Sequence, residues 1–458
     1  ILFLYDPESG NMESWSMRHL FETGDYLNYP MAIAMDGRQN LWIASHRGLI
    51  FFDVQKKQFE VFPDSHTDRV HGDFINCLHI DSFNNLWIGL QSAGMLKYAE
   101  KNRMQSLVHP VNEEEGLTYG WGSNIVEQKN GNLWLGTQGG IHQFDPETGE
   151  LKAVHAYNMH PRMWQANLIM EYAPDRLLLH TNIGMGVYAT DQNAFQRLEN
   201  PFAPDSVTLV AGYREKNDRI WIGTSNGIYV VDTLLRYQQH FDMMDWGGTS
   251  HASNLIADFI PAPGQDMWIS TNDGLFFYDA ESEIIVRHVY DPARGDGIGV
   301  KDINSLYLAT DGQLWIGTWL GGLSRYNPAT GKVRTYTISD GLPSLSIQGI
   351  LGDEAHNNLW LSTFAGLSRF DIETETFNNY ALEVGMQGLL YSDGSYFEYS
   401  EGYFFFGGNN GFTYFRPDDM ATRSMPPKLF ITEFKTGSQF IEFMNDGSGS
   451  RETPMVLS

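Results

Sequence analysis

One short pattern recurs along this chain and leaves few folds open to it. Copies begin at Leu41 (LWIAS), Leu86 (LWIGL), Leu133 (LWLGT), Leu177 (LLLHT), Ile220 (IWIGT), Met267 (MWIST), Leu314 (LWIGT), Leu359 (LWLST) and Phe404 (FFFGG), 43 to 47 residues apart. A period of that length with only strand and turn signals inside it points to the four-stranded blades of β-propellers. Helical repeats of similar length would show apolar residues at i, i+3 and i+4, and no such stretch occurs.

The copy at Leu314 shows the expected unit. An inner strand carries Ile303, Leu306 and Leu308, and Asp311-Gly312 forms a hairpin turn. Leu314–Thr318 is the second strand, Gly321-Gly322 turns the chain and Leu323–Tyr326 is the third. Asn327-Pro328-Ala329-Thr330-Gly331 is a turn, and Val333–Tyr336 is the outer strand. Turn residues recur at the first offset in Asp36-Gly37, Asn130-Gly131 and Asn357-Asn358, and at the last in Asp145-Pro146-Glu147-Thr148-Gly149. The second strand lacks polar–apolar alternation, as expected of a sheet packed on both faces. Trp42, Trp87, Trp134, Trp221, Trp268, Trp315 and Trp360 are therefore expected in the core. In the degenerate copy at Leu177, Leu178 replaces Trp and His180 replaces Gly.

The fold class is all-β, with one complete seven-bladed propeller plus part of another. Ile1-Leu2-Phe3-Leu4-Tyr5 with Asp6-Pro7 matches a third strand, so the sequence is expected to open inside a blade, with earlier blades removed. Residues 1–115 are expected to be the last blades of a truncated first propeller, and 116–420 a seven-bladed propeller. Residues 421–458 would be a linker and the first strand of a β-sandwich. A single ring of nine or ten blades is the alternative.

A net charge of −26 with scattered acids and no basic stripe argues against nucleic acid or an anionic membrane as partner. The single cysteine, Cys77, excludes a disulfide framework and a thiolate metal site, and its inner-strand setting predicts a buried thiol. No apolar run is long enough for a membrane span. The opening residues do not form a signal peptide.

The repeat LWIGT…GG(L/I)…(F/Y)(D/N) resembles that of the two-component regulator propeller family. Gly341-Leu342-Pro343 fits the same unit. Gly385-Met386-Gln387-Gly388, Gly394-Ser395-Tyr396-Phe397, Phe406-Gly407-Gly408-Asn409-Asn410-Gly411-Phe412 and Phe415-Arg416-Pro417 resemble the family's last propeller repeat. Pro426-Pro427 with Leu429-Phe430-Ile431-Thr432 resembles the start of the three-tyrosine β-sandwich that follows. The resemblance implies a periplasmic sensor region of a membrane-anchored, homodimeric receptor, with the membrane reached only through segments outside this sequence. Its output would be a histidine kinase, often a hybrid, or in some bacteria a diguanylate cyclase. Its implied ligand is a small molecule or oligosaccharide, with no cofactor.

Candidate ligand residues lie on loops entering the inner strands and between second and third strands: Trp121, Asn124, Arg162, Trp164, Asn167, Trp246, His251, Asn254 and Trp319. Aromatic rings stack on the apolar faces of sugars, and planar polar groups bond their hydroxyls. Loop packing and a dimer interface are the competing roles for these aromatics. No catalytic set recurs at a diagnostic spacing, no metal pattern is present, and Arg294-Gly295-Asp296-Gly297 lacks the P-loop Lys-Ser/Thr. A propeller enzyme acting on polysaccharide remains the rival, and it would need a carboxylate, His or Tyr cluster with perturbed pKa values at the channel mouth. A protein-binding scaffold with a broad apolar face is a second rival.

Overall fold

The structure is a computed structural model that describes residues 2–5, 10–16, 30–45, 48–61, 75–81, 84–91, 95–98, 104–107, 122–137, 140–154, 166–181, 184–198, 207–215, 218–248, 255–288, 302–381, 385–420, 434–436 and 439–441. The chain forms two compact units, 1–420 and 421–458. Of the second, a hairpin is described, Phe434–Thr436 with Gln439–Ile441.

The first unit opens with a hairpin, Leu2–Tyr5 and Met12–Trp15. A four-stranded sheet follows (Pro30–Met35, Leu41–Ser45, Gly48–Asp53, Gln58–Val61), then a three-stranded one (Ile75–Ile80, Leu86–Leu90, Met95–Tyr98). Among the described residues, seven more four-stranded antiparallel sheets follow, here called blades 1 to 7. Their first strands are Gly122–Glu127, Ala166–Ala173, Leu209–Arg214, Ile256–Pro261, Ile303–Leu308, Ile347–Asp353 and Tyr391–Glu398. Each first strand packs against the next, and that of blade 7 packs against that of blade 1, so the first strands surround a central channel.

The repeat motif explains itself in this setting. Its second strand is buried along its whole length in blade 5, where Leu314–Thr318 has neighbours on both faces. The Thr closing the strand caps the hairpin that follows: Thr137, Thr181, Thr224, Thr271 and Thr363 each donate Oγ1 to the carbonyl of the Gly three residues on, at 2.8–3.3 Å. At Gly366, φ is +100° and an added Cβ would lie 2.1 Å from the Tyr380 carbonyl oxygen. Only glycine fits that turn without strain.

The repeat tryptophans are core, as expected, except Trp87, which is half-buried. The sequence also holds their polar partners, six residues upstream. Asp81, Gln128 and Glu215 accept the indole N–H of Trp87, Trp134 and Trp221 at 2.9, 2.7 and 2.5 Å. Arg325 and Arg369, register partners on the third strands, lie over Trp315 and Trp360.

Blade 7 takes its fourth strand from upstream. Gln105–Leu107 pairs antiparallel with Phe412–Tyr414, and Met104 is buried with Trp360, Tyr380 and Phe406. The expected division at 115/116 falls outside the described residues, but this strand lies before it and completes a blade after it. The physical reason is local. The chain leaves blade 7 into Pro417–Asp419, which supplies no outer strand, so the edge of Gly411–Phe415 is covered by another segment. Across the seam between blades 7 and 1, Ser400 N donates to Glu127 Oε2 at 3.0 Å, Tyr399 OH to the Gly131 carbonyl at 2.8 Å, and Arg416 pairs with Glu147.

Cys77 departs from expectation, being exposed rather than buried. Its strand, Ile75–Ile80, is flanked by Pro30–Met35 on one side. It has no comparable neighbour on the other side among the described residues, and Asn76 and His79 are exposed with it. His180 is half-buried, and burial lowers its pKa. It takes the register position of Gly223 in blade 3, and Gly212 replaces the large apolar residue found as Phe259 in blade 4. One exchange offsets the other, which gives His180 a packing role.

Candidate functional site

The end of the channel where first strands begin and second strands finish carries an exposed apolar cluster on blades 5 to 7. In blade 5 the loop after Thr318 is one residue longer than in the blades above, so Thr318 caps Gly322 at 2.9 Å. The extra length places Trp319 and Leu320 outward, 38% and 63% exposed, and Leu320 sits at φ +65°. A leucine in the left-handed region costs about 1–2 kcal/mol, and such strain gathers at functional positions. Phe364 follows Thr363 at the same offset in blade 6. Its ring stands edge-on to that of Trp319, with centroids 5.1 Å apart.

Leu389 and Leu390 complete the cluster, both exposed, just before the first strand of blade 7. They are held by the run Gly385–Gly388 together with Gly407–Gly411. Buried Gln387 donates Nε2 to the Leu390 carbonyl at 3.0 Å and accepts the Asn410 N–H at 2.9 Å, while Asn410 Nδ2 returns to the Gln387 carbonyl at 3.1 Å. Asn409 N donates to the Leu390 carbonyl and Gly366 N to that of Leu389. The glycines of that motif have a steric reason, since a Cβ on Gly408 would lie 2.1 Å from Gln387 Nε2.

Acids line the channel beside this cluster. Trp319 N donates to the Asp302 carbonyl, which ties Asp302 to the aromatic loop. Burial raises the Asp302 pKa, and repulsion from Asp393 on the first strand of blade 7 raises it further. Deeper, Tyr396 of blade 7 donates its hydroxyl to Asp258 Oδ2 of blade 4 at 2.5 Å, a bond between first strands 138 residues apart. Phe259 N and Leu306 N reach the same carboxylate at 2.8 and 3.4 Å. Gly349 makes room for the Tyr396 ring, since a Cβ there would lie 2.4 Å from it. Burial outweighs these three donors and pushes Asp258 up to about 6, and burial with the Asp258 charge holds the Tyr396 phenol well above its usual value. No Lys, Arg or His among the described residues pairs with Asp258, Asp302 or Asp393.

Of the candidates drawn from sequence, Trp319 lies in this cluster. Trp246 lies in a short 3-10 turn, Met243–Trp246, against the blade 3–4 core with its ring 6.4 Å from Phe241. Arg287, ion-paired with Asp273 at 3.2 Å, pins that turn through the Gly247 carbonyl at 3.0 Å. Part of the Trp246 ring is thus packed on that core. Asn124 is half-buried at the bulge of the first strand of blade 1. Asn167 is the second residue of the first strand of blade 2, its side chain outside the described residues. Trp121, Arg162, Trp164, His251 and Asn254 also lie outside them. Sequence reasoning missed Phe364, Asp302, Asp393, Tyr396 and Asp258. Phe364 was legible by its offset after Thr363. The acids share no spacing.

The fold and this mouth define an all-β array of propeller blades. The model of the two component regulator propeller family matches residues 297–320, which include the second strand of blade 5. The chain is similar to histidine kinase P4 of Formosa agariphila, 23% identical over 344 residues, covering 72% of this chain and 25% of that protein. Its fold is similar to the extracellular domain of a hybrid two component system of B. thetaiotaomicron, BT3049 (22% identity, TM-score 0.63, 97% of this chain and 58% of that one). The extracellular domain of the one component system BT4673 from the same organism is also similar (18%, TM-score 0.54, 97% and 59%). The chain therefore spans a quarter of the curated kinase and less than two thirds of these domains. Among the described residues no helix is long and apolar enough to cross a membrane.

Proposed function

We propose that this chain is the periplasmic ligand-sensing region of a transmembrane signalling receptor and that it binds an oligosaccharide at the channel mouth of blades 5 to 7. One observation carries the reading: the exposed Trp319–Phe364 ring pair is presented by a loop that holds Leu320 in a strained conformation. A sugar face stacks on such rings, and the neighbouring carboxylates accept from its hydroxyls. The region acts by binding. Ligand favours one arrangement of a receptor homodimer, which it can do only if its affinity differs between arrangements. The signal then passes through the segment after 420 to a histidine kinase output; a diguanylate cyclase is the alternative output.

The test is a thermal-shift screen of the chain and Trp319→Ala against oligosaccharides. Binding to the folded state stabilises by about 2.7 kcal/mol at a hundredfold excess over Kd. A shift in the wild type that Trp319→Ala abolishes supports the site, and a shift unaffected by Trp319→Ala refutes it.

The Asp258–Tyr396 pair favours a second reading, a propeller enzyme acting on polysaccharide, since a channel carboxylate with a raised pKa is a mark of catalytic sites. New reducing or unsaturated ends in the shifted samples would establish that reading, and unchanged glycan would remove it.

A further inference from the structure

Among the described residues, the charged groups that act on Asp302 and Tyr396 at the aromatic mouth are acids. Asp302 adjoins Trp319 through a backbone bond, and Asp393 lies close enough to disfavour the Asp302 charge. Asp393 also acts on Tyr396, whose hydroxyl is bonded to the enclosed Asp258 carboxylate. Asp258 and Asp393 lie on the first strands of blades 4 and 7 and Asp302 directly precedes that of blade 5; the first strands of blades 5 and 7 approach each other across the channel, and the Tyr396 hydroxyl reaches over to blade 4. Low-dielectric walls focus the field of such acids, and a charged group entering it feels it at close range.

We infer that Asp302 and Asp393 determine specificity at this mouth: they exclude uronic-acid and sulfated saccharides, and the ligand is an uncharged oligosaccharide. The inference rests on the sugar-binding reading above and adds a charge class to it. An uncharged sugar stacks on Trp319 and Phe364 and offers its hydroxyl hydrogens to carboxylates, which accept only. A carboxylate or sulfate on the sugar brings acceptor against acceptor and like charge against like.

The experiment is calorimetric titration of the 458-residue chain at low ionic strength with uncharged probes (xylo-, manno-, cello- and arabino-oligosaccharides) and anionic ones (oligogalacturonates, heparin-derived and chondroitin-sulfate-derived oligosaccharides). At least one uncharged probe is expected to bind, with every anionic probe about tenfold or more weaker, between the roughly fivefold effect of one charge repulsion at ~4 Å in bulk water and the larger one near a protein surface. Asp302→Asn with Asp393→Asn should tighten anionic probes by about tenfold, again one charge interaction. The wild type offers a second readout that needs no variant: added salt should strengthen whatever residual anionic binding exists. An anionic probe that binds the wild type as tightly as any uncharged one, or whose binding weakens with salt, overturns this inference and leaves the sugar reading standing. Absence of binding by both sets overturns the sugar reading, and this inference with it.

Discussion

The bond between Tyr396 and Asp258 makes a quantitative prediction about stability and pH. Asp258 titrates at about 6 in the folded chain against 3.8 ordinarily, because enclosure by the inner strands outweighs the Tyr396, Phe259 and Leu306 donors. Below pH 3.8 the carboxyl is protonated whether the chain is folded or not, and burial costs nothing extra. Between 3.8 and about 6 the unfolded chain releases its proton while the folded chain keeps it, so stability falls as pH rises. Above about 6 the loss is complete. At about 1.4 kcal/mol per pKa unit, a shift of about two units amounts to about 3 kcal/mol.

Asp258→Asn removes the charge and keeps an acceptor for the Tyr396 hydroxyl. Taking the difference between wild type and this variant cancels the opposite trend from surface acids such as Asp232 and Asp279, whose pKa values are lowered. The variant should gain on the wild type by about 2.4 kcal/mol between pH 4 and pH 7.5, because part of the loss is already present at pH 4, measured by urea unfolding followed by tryptophan fluorescence. Tyr396→Phe removes the donor that most lowers the Asp258 pKa. It should cost about 1.5–3 kcal/mol at pH 7.5, where the hydrogen bond is to a charge, and about 1 kcal/mol at pH 4, where it is not. A wild-type-to-Asn difference that stays flat with pH, or equal costs for Tyr396→Phe at both pH values, would refute the claim that this carboxylate is enclosed and charged at neutral pH.

Trp315→Ala should cost about 3–5 kcal/mol in the same assay, because the ring is fully buried between blades 5 and 6 beside Tyr336 and Phe370; a loss under 1 kcal/mol would contradict that packing. Gly366→Ala should cost about 2 kcal/mol or more, since the new Cβ meets the Tyr380 backbone carbonyl at a positive φ, whereas Gly312→Ala, with open space around it, should lose only the cost of its φ, about 1 kcal/mol. Met104→Ala should destabilise by about 2–4 kcal/mol if the upstream strand closes blade 7, and a silent variant would show that strand to be dispensable.

What the sequence revealed and what it hid divide along the range of the interactions. A blade is local: four strands within about 45 residues, with turn residues and a Thr cap at fixed offsets, so each of the strands of blade 5 could be placed from its own segment. The same locality made Phe364 readable beside Trp319. Gln105–Leu107 has no such signature. Three residues without pattern acquire a role only because an unfilled edge waits more than three hundred residues downstream. The Tyr396–Asp258 bond is hidden for the same reason, since a closed ring brings the first strands of blades 4 and 7 to one channel whatever their separation in sequence. Trp246 shows the converse. In sequence it has the composition of a sugar platform, and only the position of Phe241 shows that part of its ring is packed on the blade core. Repeats therefore disclose their scaffold from within, while the chemistry of the channel, to which several blades contribute one residue each, emerges only when the sheets are brought together. The candidate site draws on departures from the repeat: an added residue after Thr318, a longer bulge in the first strand of blade 7 than in the other blades, and acids that no neighbouring blade shares.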